Sequence, residues 1–368
     1  MAANERIHHF HFVMLGLMME DPFSFGGEHR YYGSSTAPDP AAASNRATGE
    51  IAALLKEYDP ELERRVSRSF RQWNNVLRDQ LRNEMGLRLS IGDETQAVPI
   101  RIVPGFPAPF QNVLEGIPPG LWRFLLRLPA LVATVKGLDS VIDIYSGVRS
   151  DAIPDQVPPV LPSSVADARE FCDHLLSALQ RIEIGKKLGG ISEDILGAYF
   201  FRVPEVHLYW MVIGLVAGVL GITVESLTVV VATHELAHAY SHLGRDIDGK
   251  KWETEAFARA DLNIVEGIAQ FYTEVVARKL ETRNPPVLPA YQKLTEIQQG
   301  PYRVHEEWAK RKSAGKDTPM PQAGEIVRAT IVQCRSRHVS DYGVMKQIIE
   351  SSANRLAGSS ITPEHGAE

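Results

Sequence analysis

The segment Thr233-His234-Glu235-Leu236-Ala237-His238-Ala239-Tyr240 sets two imidazoles four residues apart, with a carboxylate next to the first. On an α-helix that spacing brings both side chains to one face, Cβ atoms about 5–6 Å apart, so both ring nitrogens reach a single ion. Zinc suits these donors. It takes imidazole nitrogen at about 2.0–2.1 Å, and a catalytic site adds a third protein ligand and leaves the fourth position to water. Glu235 is then expected to act as base toward that water and not as a ligand. The chemistry expected is metal-dependent hydrolysis, with Zn2+ as cofactor.

A third ligand has to come from elsewhere in the chain. The metzincin pattern requires glycine at position 241 and histidine at 244, whereas this chain has Ser241 and Gly244. His242 lies two turns beyond His234, about 12 Å along a continuous helix, so it can line the site but not share the ion. Downstream carboxylates are Asp246, Asp248, Glu253, Glu255, Glu266 and Glu274, and zinc accepts Asp or Glu oxygen alike. Glu266, in Asn263-Ile264-Val265-Glu266-Gly267-Ile268-Ala269-Gln270-Phe271-Tyr272, is the foremost candidate.

HELAH followed on a second helix by VEGIAQFY resembles the gluzincin group of zinc peptidases, the thermolysin-like and aminopeptidase-like families, over roughly residues 197–280. The resemblance implies a zincin-like α+β core with His234, His238 and Glu266 as zinc ligands, Glu235 as general base, and a peptide or protein as substrate. It implies that Gln270 orients a ligand histidine. It also calls for a Tyr or His that stabilises the oxyanion, for which Tyr272, Tyr302 and His305 are candidates. GAYFF at 197–201 stands where aminopeptidases of the group carry an amine-binding glutamate, and none is present. An endopeptidase or a highly specific protease is implied over an aminopeptidase. The separation of the two motifs requires an inserted loop through GRDIDGKKWETE. The alternative is a zincin-like scaffold or regulatory binding protein without proteolysis. Glu235 weighs against it, because a structural zinc site needs no base.

These residues need elements to hold them. A helix is expected from Thr223 through the motif, one or two helices over Trp252–Arg283, and further helices at Pro289–Gly300, Tyr302–Ser313, Gln322–Arg335 and Ser340–Leu356. Upstream, Leu62, Val66, Phe70, Trp73, Leu77 and Leu81 recur at helical spacing, leaving six arginines on the other faces as a solvated surface. LRLSI (87–91) and VPIRIV (98–103) flank Gly92-Asp93 as a candidate hairpin. A helix over Ala166–Lys187 and extended runs at Ala198–Val203 and Val206–Ile213 follow, the last a candidate edge strand for pairing with a substrate main chain. The proline-rich 154–164 is the best boundary. The organisation expected is a flexible arm over 1–45, an accessory region over 46–160, the zincin-like core over 161–285, a C-terminal helical region over 286–357 and a tail over 358–368.

Composition narrows the function classes. Hydrophobic residues make up 44% and charged residues 23%, as in a globular protein, and a net charge of −6 offers no basic footprint for nucleic acid. Two cysteines far apart, Cys172 and Cys334, read as ordinary buried thiols in a reducing compartment. The N-terminal segment does not read as a secretory signal, and a cytoplasmic location is expected. Leu208–Val224 is uncharged and approaches membrane-spanning length, but its three glycines and many valines fit a buried strand running into a turn. A membrane-embedded protease rests on that stretch alone. The His8-His9-Phe10-His11 cluster is read as incidental. Neither a phosphate-binding loop, nor a nucleophile elbow, nor paired C-x-x-C is present.

Overall fold

A computed structural model describes residues 46–89, 98–150, 163–189, 195–246, 249–308, 310–313, 316–319, 323–337 and 339–358. The architecture is α+β, mostly helical with a small three-stranded sheet. Its first helices are α1 (Arg46–Tyr58) and α2 (Leu62–Met85). The apolar stripe of α2 is buried at Leu62, Val66, Leu77, Leu81 and Met85, and half-buried at Phe70 and Trp73. Several of its arginines are engaged within the protein. Arg65 forms a two-pronged pair with Glu225 at 2.8 Å, Arg78 donates to Val98 O at 2.7 Å, and Arg64 and Arg82 pair with Glu61 and Asp79 on α2's own flank.

Among the described residues, strand β1 (Ile100–Val103) does not pair with residues 87–89. It pairs in parallel with β3 (Glu205–Tyr209), while Arg88 makes a lone antiparallel bridge to Arg245. Parallel pairing requires a long crossover, and this one contains α3 (Ala108–Glu115), α4 (Pro119–Leu125), α5 (Leu128–Ser150), α6 (Ser163–Gln180) and α7 (Ile184–Gly189). The proposed hairpin turn, the N-terminal histidine cluster and most of the proline-rich stretch lie outside the described residues. Strand β2 (Gly197–Phe200) runs antiparallel to β3, giving the order β1-β3-β2. Among the described residues the edge strands are therefore β1 and β2, and the run from Val206, expected at the edge, is the centre.

That run also ends sooner than expected. At Trp210 the chain leaves β3 and enters helix α8 (Trp210–Leu220), so Leu208–Val224 is a strand end, a helix and a turn, not a long strand. The glycines are notches: a Cβ on Gly214 would sit 2.4 Å from the Leu62 side chain, so α8 and α2 meet in contact there. No helix among the described residues is long and apolar enough to cross a membrane.

Helix α9 (Val224–Leu243) starts at Thr223, whose hydroxyl accepts the Ser226 N–H as an N-cap. Every residue of it except Glu225 is buried, polar and apolar alike. Then come α10 (Thr254–Ala258), α11 (Leu262–Leu280) and α12 (Val287–Ile297), so the span Trp252–Arg283 holds two helices. The segment expected as one helix from Tyr302 is instead a 3-10 turn (Gly300–Arg303), the short α13 (His305–Trp308) and a hairpin of β4 (Lys310–Ser313) and β5 (Lys316–Pro319). Its last residues, Lys310-Arg311-Lys312-Ser313, carry no apolar side chain that would hold them on the core as a further helical turn. Helices α14 (Ala323–Arg337) and α15 (Tyr342–Gly358) complete the chain. One apolar core runs from Ile51 to Ile349, and both cysteines are buried free thiols.

Candidate metal centre and cleft

α9 and α11 pack side by side and aim their polar residues at each other. On α9 the rings of His234 and His238 stand 4.6 Å apart and nearly perpendicular, with their Nε2 atoms separated by 3.0 Å. α11 is capped by Asp261, whose carboxylate accepts the Asn263 N–H at 2.8 Å, and this sets the register that brings Glu266 inward one turn later. Glu266 Oε2 lies 3.1 Å from His234 Nε2, and Oε1 lies 3.5 Å from His238 Nε2. Glu266 is fully buried and both histidines are buried.

This spacing fits an ion. Three donors bound tetrahedrally at zinc's usual ligand distance stand about 3.3–3.5 Å from one another. Here the two Nε2 atoms are 3.0 Å apart, each lies 3.1 or 3.5 Å from a different oxygen of Glu266, and one ligand atom from each residue lies within 4.8 Å of the other two. Glu266 Oε1 has no hydrogen-bond partner among the described residues, although a buried carboxylate oxygen ordinarily has one. Burial also holds Glu266 well above the usual carboxylate range, and lowers His234 to about 3 and His238 well below its ordinary value. Without a cation, burial therefore favours a neutral, protonated Glu266 beside neutral imidazoles. His234, His238 and Glu266 form the one group of three or more potential ligands among the described residues.

The rival carboxylates are placed elsewhere. Glu255 pairs with Arg202 at 2.9 Å, Glu274 with Arg278 at 2.6 Å, Asp246 faces Arg328 at 3.9 Å, and Glu253 is exposed. Asp248 lies outside the described residues.

Glu235 opens on a cleft beside the histidines, lined by Gly197, Val230, Val231, Gln270, Leu294, Gln298 and Tyr302 among others. Gly197, at the start of β2, lies directly against it: a Cβ there would sit 2.8 Å from Glu235 Oε1. Gly197 thus lets the edge strand approach the carboxylate. Gly267 has the same role behind Glu266, because its missing Cβ would fall 2.5 Å from the Trp308 ring and 2.7 Å from Val304. Gly267→Ala is expected to destabilise the fold by about 1–3 kcal/mol and to weaken metal retention, since Trp308 or α11 must shift. A melting temperature and metal content unchanged from wild type would sink that expectation.

The three oxyanion candidates separate. Tyr302 lines the cleft, its ring centre 6.1 Å from that of His234. His305 is buried, its Nε2 bonded to Tyr291 Oη at 2.8 Å and 3.5 Å from Glu274, and its charge contributes to lowering His234. Tyr272 points its hydroxyl into the protein, where it has no hydrogen-bond partner among the described residues and feels Arg328 and Glu84. The structure brings only Tyr302 to the cleft. Gln270, expected to hold a ligand histidine, instead donates to Gln298 at 3.0 Å.

His242 is not in the cleft either. Its ring stacks on Phe257 at 4.7 Å, its Nδ1 lies 2.9 Å from Tyr199 Oη, and its Nε2 lies 3.2 Å from Thr254 Oγ1. It thereby joins β2, α9 and α10. Burial, and after it Lys251 and Arg335, lower its pKa to about 3. Protonation therefore favours the unfolded chain: the stability that neutral His242 contributes is present above about pH 6.5 and is lost as pH falls toward 3. Thermal unfolding is expected to show this loss, a few kcal/mol at most, and His242→Asn to flatten it. An acid limb identical in the two proteins would argue against it. Gly197, Tyr199 and Gln298 were not singled out from sequence. A glycine opening the strand before the motif was a usable signal for the first, while nothing marks Gln298.

Compared with protein-family models, curated proteins and solved structures, the chain matches none, so the geometry of the site carries the functional reading.

Proposed function

We propose that the protein is a zinc-dependent metallopeptidase, an endopeptidase or specific protease in preference to an aminopeptidase, with α9, α11 and the small sheet as a zincin-like core. The observation that carries this is the convergence of His234, His238 and Glu266, one ligand atom from each within 4.8 Å of the others, with Glu235 beside them on a cleft. His234 and His238 would hold the ion through Nε2 and Glu266 through its carboxylate. When bound, zinc supplies a Lewis acid that polarises a carbonyl and makes water more acidic.

The chain's own residues supply the rest. Glu235 accepts a proton from the attacking water at its carboxylate and delivers it to the departing amine, a role that suits a base held next to the ligands and out of contact with bulk solvent. The edge of β2 that pairs with no strand among the described residues would offer main-chain groups to an extended peptide. Gly197 puts that strand against Glu235, so a peptide paired with β2 passes the base. Tyr302, which lines the same cleft, would donate to the oxyanion.

The test is cleavage of a broad peptide library by the metal-loaded protein, after chelation, and after zinc is returned. Cleavage abolished by chelator and restored by zinc is expected. A stoichiometric metal with no cleavage of any peptide would favour the non-proteolytic scaffold.

A further inference from the structure

We infer that Gln270 and Gln298 act as an amide pair that reads a neutral carboxamide or peptide group of the substrate next to the bond cleaved; this rests on the peptidase reading above. Gln270 is 3% exposed and sits on α11 one turn after Glu266, and Gln298 follows the end of α12. Both line the cleft that holds His234 and Glu235. The bond between them, Gln270 Nε2 to Gln298 Oε1 at 3.0 Å, occupies one donor and one acceptor. Among the described residues Gln270 Oε1 and Gln298 Nε2 make no further bond, and neither is a sealed orphan, so both are available from the cleft.

The pair therefore presents one acceptor and one donor side by side. Turning both amides over exchanges which residue offers which, but the cleft still meets the same combination. A carboxamide or peptide group carries the complement, a C=O and an N–H. A carboxylate offers only acceptors and an ammonium only donors, so each satisfies half of the pair and leaves a polar group unmet. The wall around the glutamines, with Leu188, Val216, Val230, Leu294 and Ile297, is apolar, and there an unmet partner costs more than in water. The group read can belong to an Asn or Gln side chain or to the main chain.

The experiment uses peptidyl hydroxamates, which bind through the metal, with norleucine, glutamine, glutamate or lysine as the first residue. A norleucine compound in which the next amide is replaced by an ester completes the set. Calorimetry compares metal-loaded wild type with Gln270→Met and Gln298→Met, both checked for unchanged metal content. Wild type is expected to favour glutamine over norleucine, or amide over ester, by about three- to tenfold, with glutamate and lysine weaker than glutamine. Each Met variant should lose that preference. The first pattern assigns the group to a side chain and the second to the main chain. Metal present with equal binding across the set, or a preference that survives both variants, overturns this inference alone. A protein that binds neither metal nor hydroxamate overturns the peptidase reading and this inference with it. If either Met variant loses metal, Gln298→Asn, which keeps the amide but shortens its reach, should weaken the same preference without affecting the norleucine ester.

Discussion

Glu235→Gln protein is expected to carry as much zinc as wild type and to hydrolyse peptides about 100- to 10,000-fold more slowly. Glutamine keeps the shape and hydrogen-bonding reach of glutamate but has no carboxylate to take a proton. The site tolerates the exchange sterically, because Gly197 already leaves room for a side chain of that size. Metal should stay, because the three converging ligand atoms belong to His234, His238 and Glu266. Metal content by atomic emission and initial rates on one cleaved peptide check both halves. A variant that hydrolyses at the wild-type rate would falsify the assignment of Glu235 as base, and one that loses metal would make it a ligand.

Removing the third ligand has the opposite signature. Glu266→Gln is expected to lower zinc affinity by at least about 100-fold, more than the loss of an outer partner that merely orients a ligand, and activity should fall with it. Without metal, the same change should stabilise the fold at neutral and higher pH. Burial raises the folded pKa of Glu266, so the folded state binds the extra proton over the interval between the unfolded value of 4.5 and that raised value. Stability of the metal-free wild type therefore falls as pH rises above about 4.5, and glutamine, which does not titrate, removes that fall. Metal titration and metal-free melting curves between pH 5 and 9 test both. Equal affinity in the two proteins would remove Glu266 from the ligand set.

The helices that make the site were legible because they are long and periodic. Thr223 as a cap, the α2 stripe and the break between α10 and α11 all follow from residue spacing and local hydrogen bonding. Pairing was not legible. A strand's partner is set by contacts distant in sequence, so VPIRIV matched a hairpin as well as it matched the parallel place beside β3 that it takes. LYWMVIGLVAGVLGITV shows the other limit, since an unbroken apolar run has no periodicity to divide helix from strand.

At the site, the residues that carry charge announced themselves and those that shape space did not. His234, Glu235 and His238 come from one helical turn, and Glu266 stood out through VEGIAQFY. Gln270 was picked out by its position and given the wrong partner, because nothing in the sequence says that Gln298 returns to within 3.0 Å of it. His242 belongs to the same helix as the ligands, yet two further turns carry it to the far end of β2.

Helix α2 runs alongside α9, fastened by Arg65 and Ser69 to Glu225 at one end and by the Tyr240 hydroxyl to Arg78 O at the other. These ties put residues far upstream of the histidines into the wall that fixes the histidines' own helix. Separating the chain before residue 163 would uncover a flank of that helix along its whole length, so the chemistry has no smaller portable unit. Changes in the arginine-rich segment are therefore changes to the mounting of His234 and His238, and under the proposed function they should register at a distance as altered affinity for the ion.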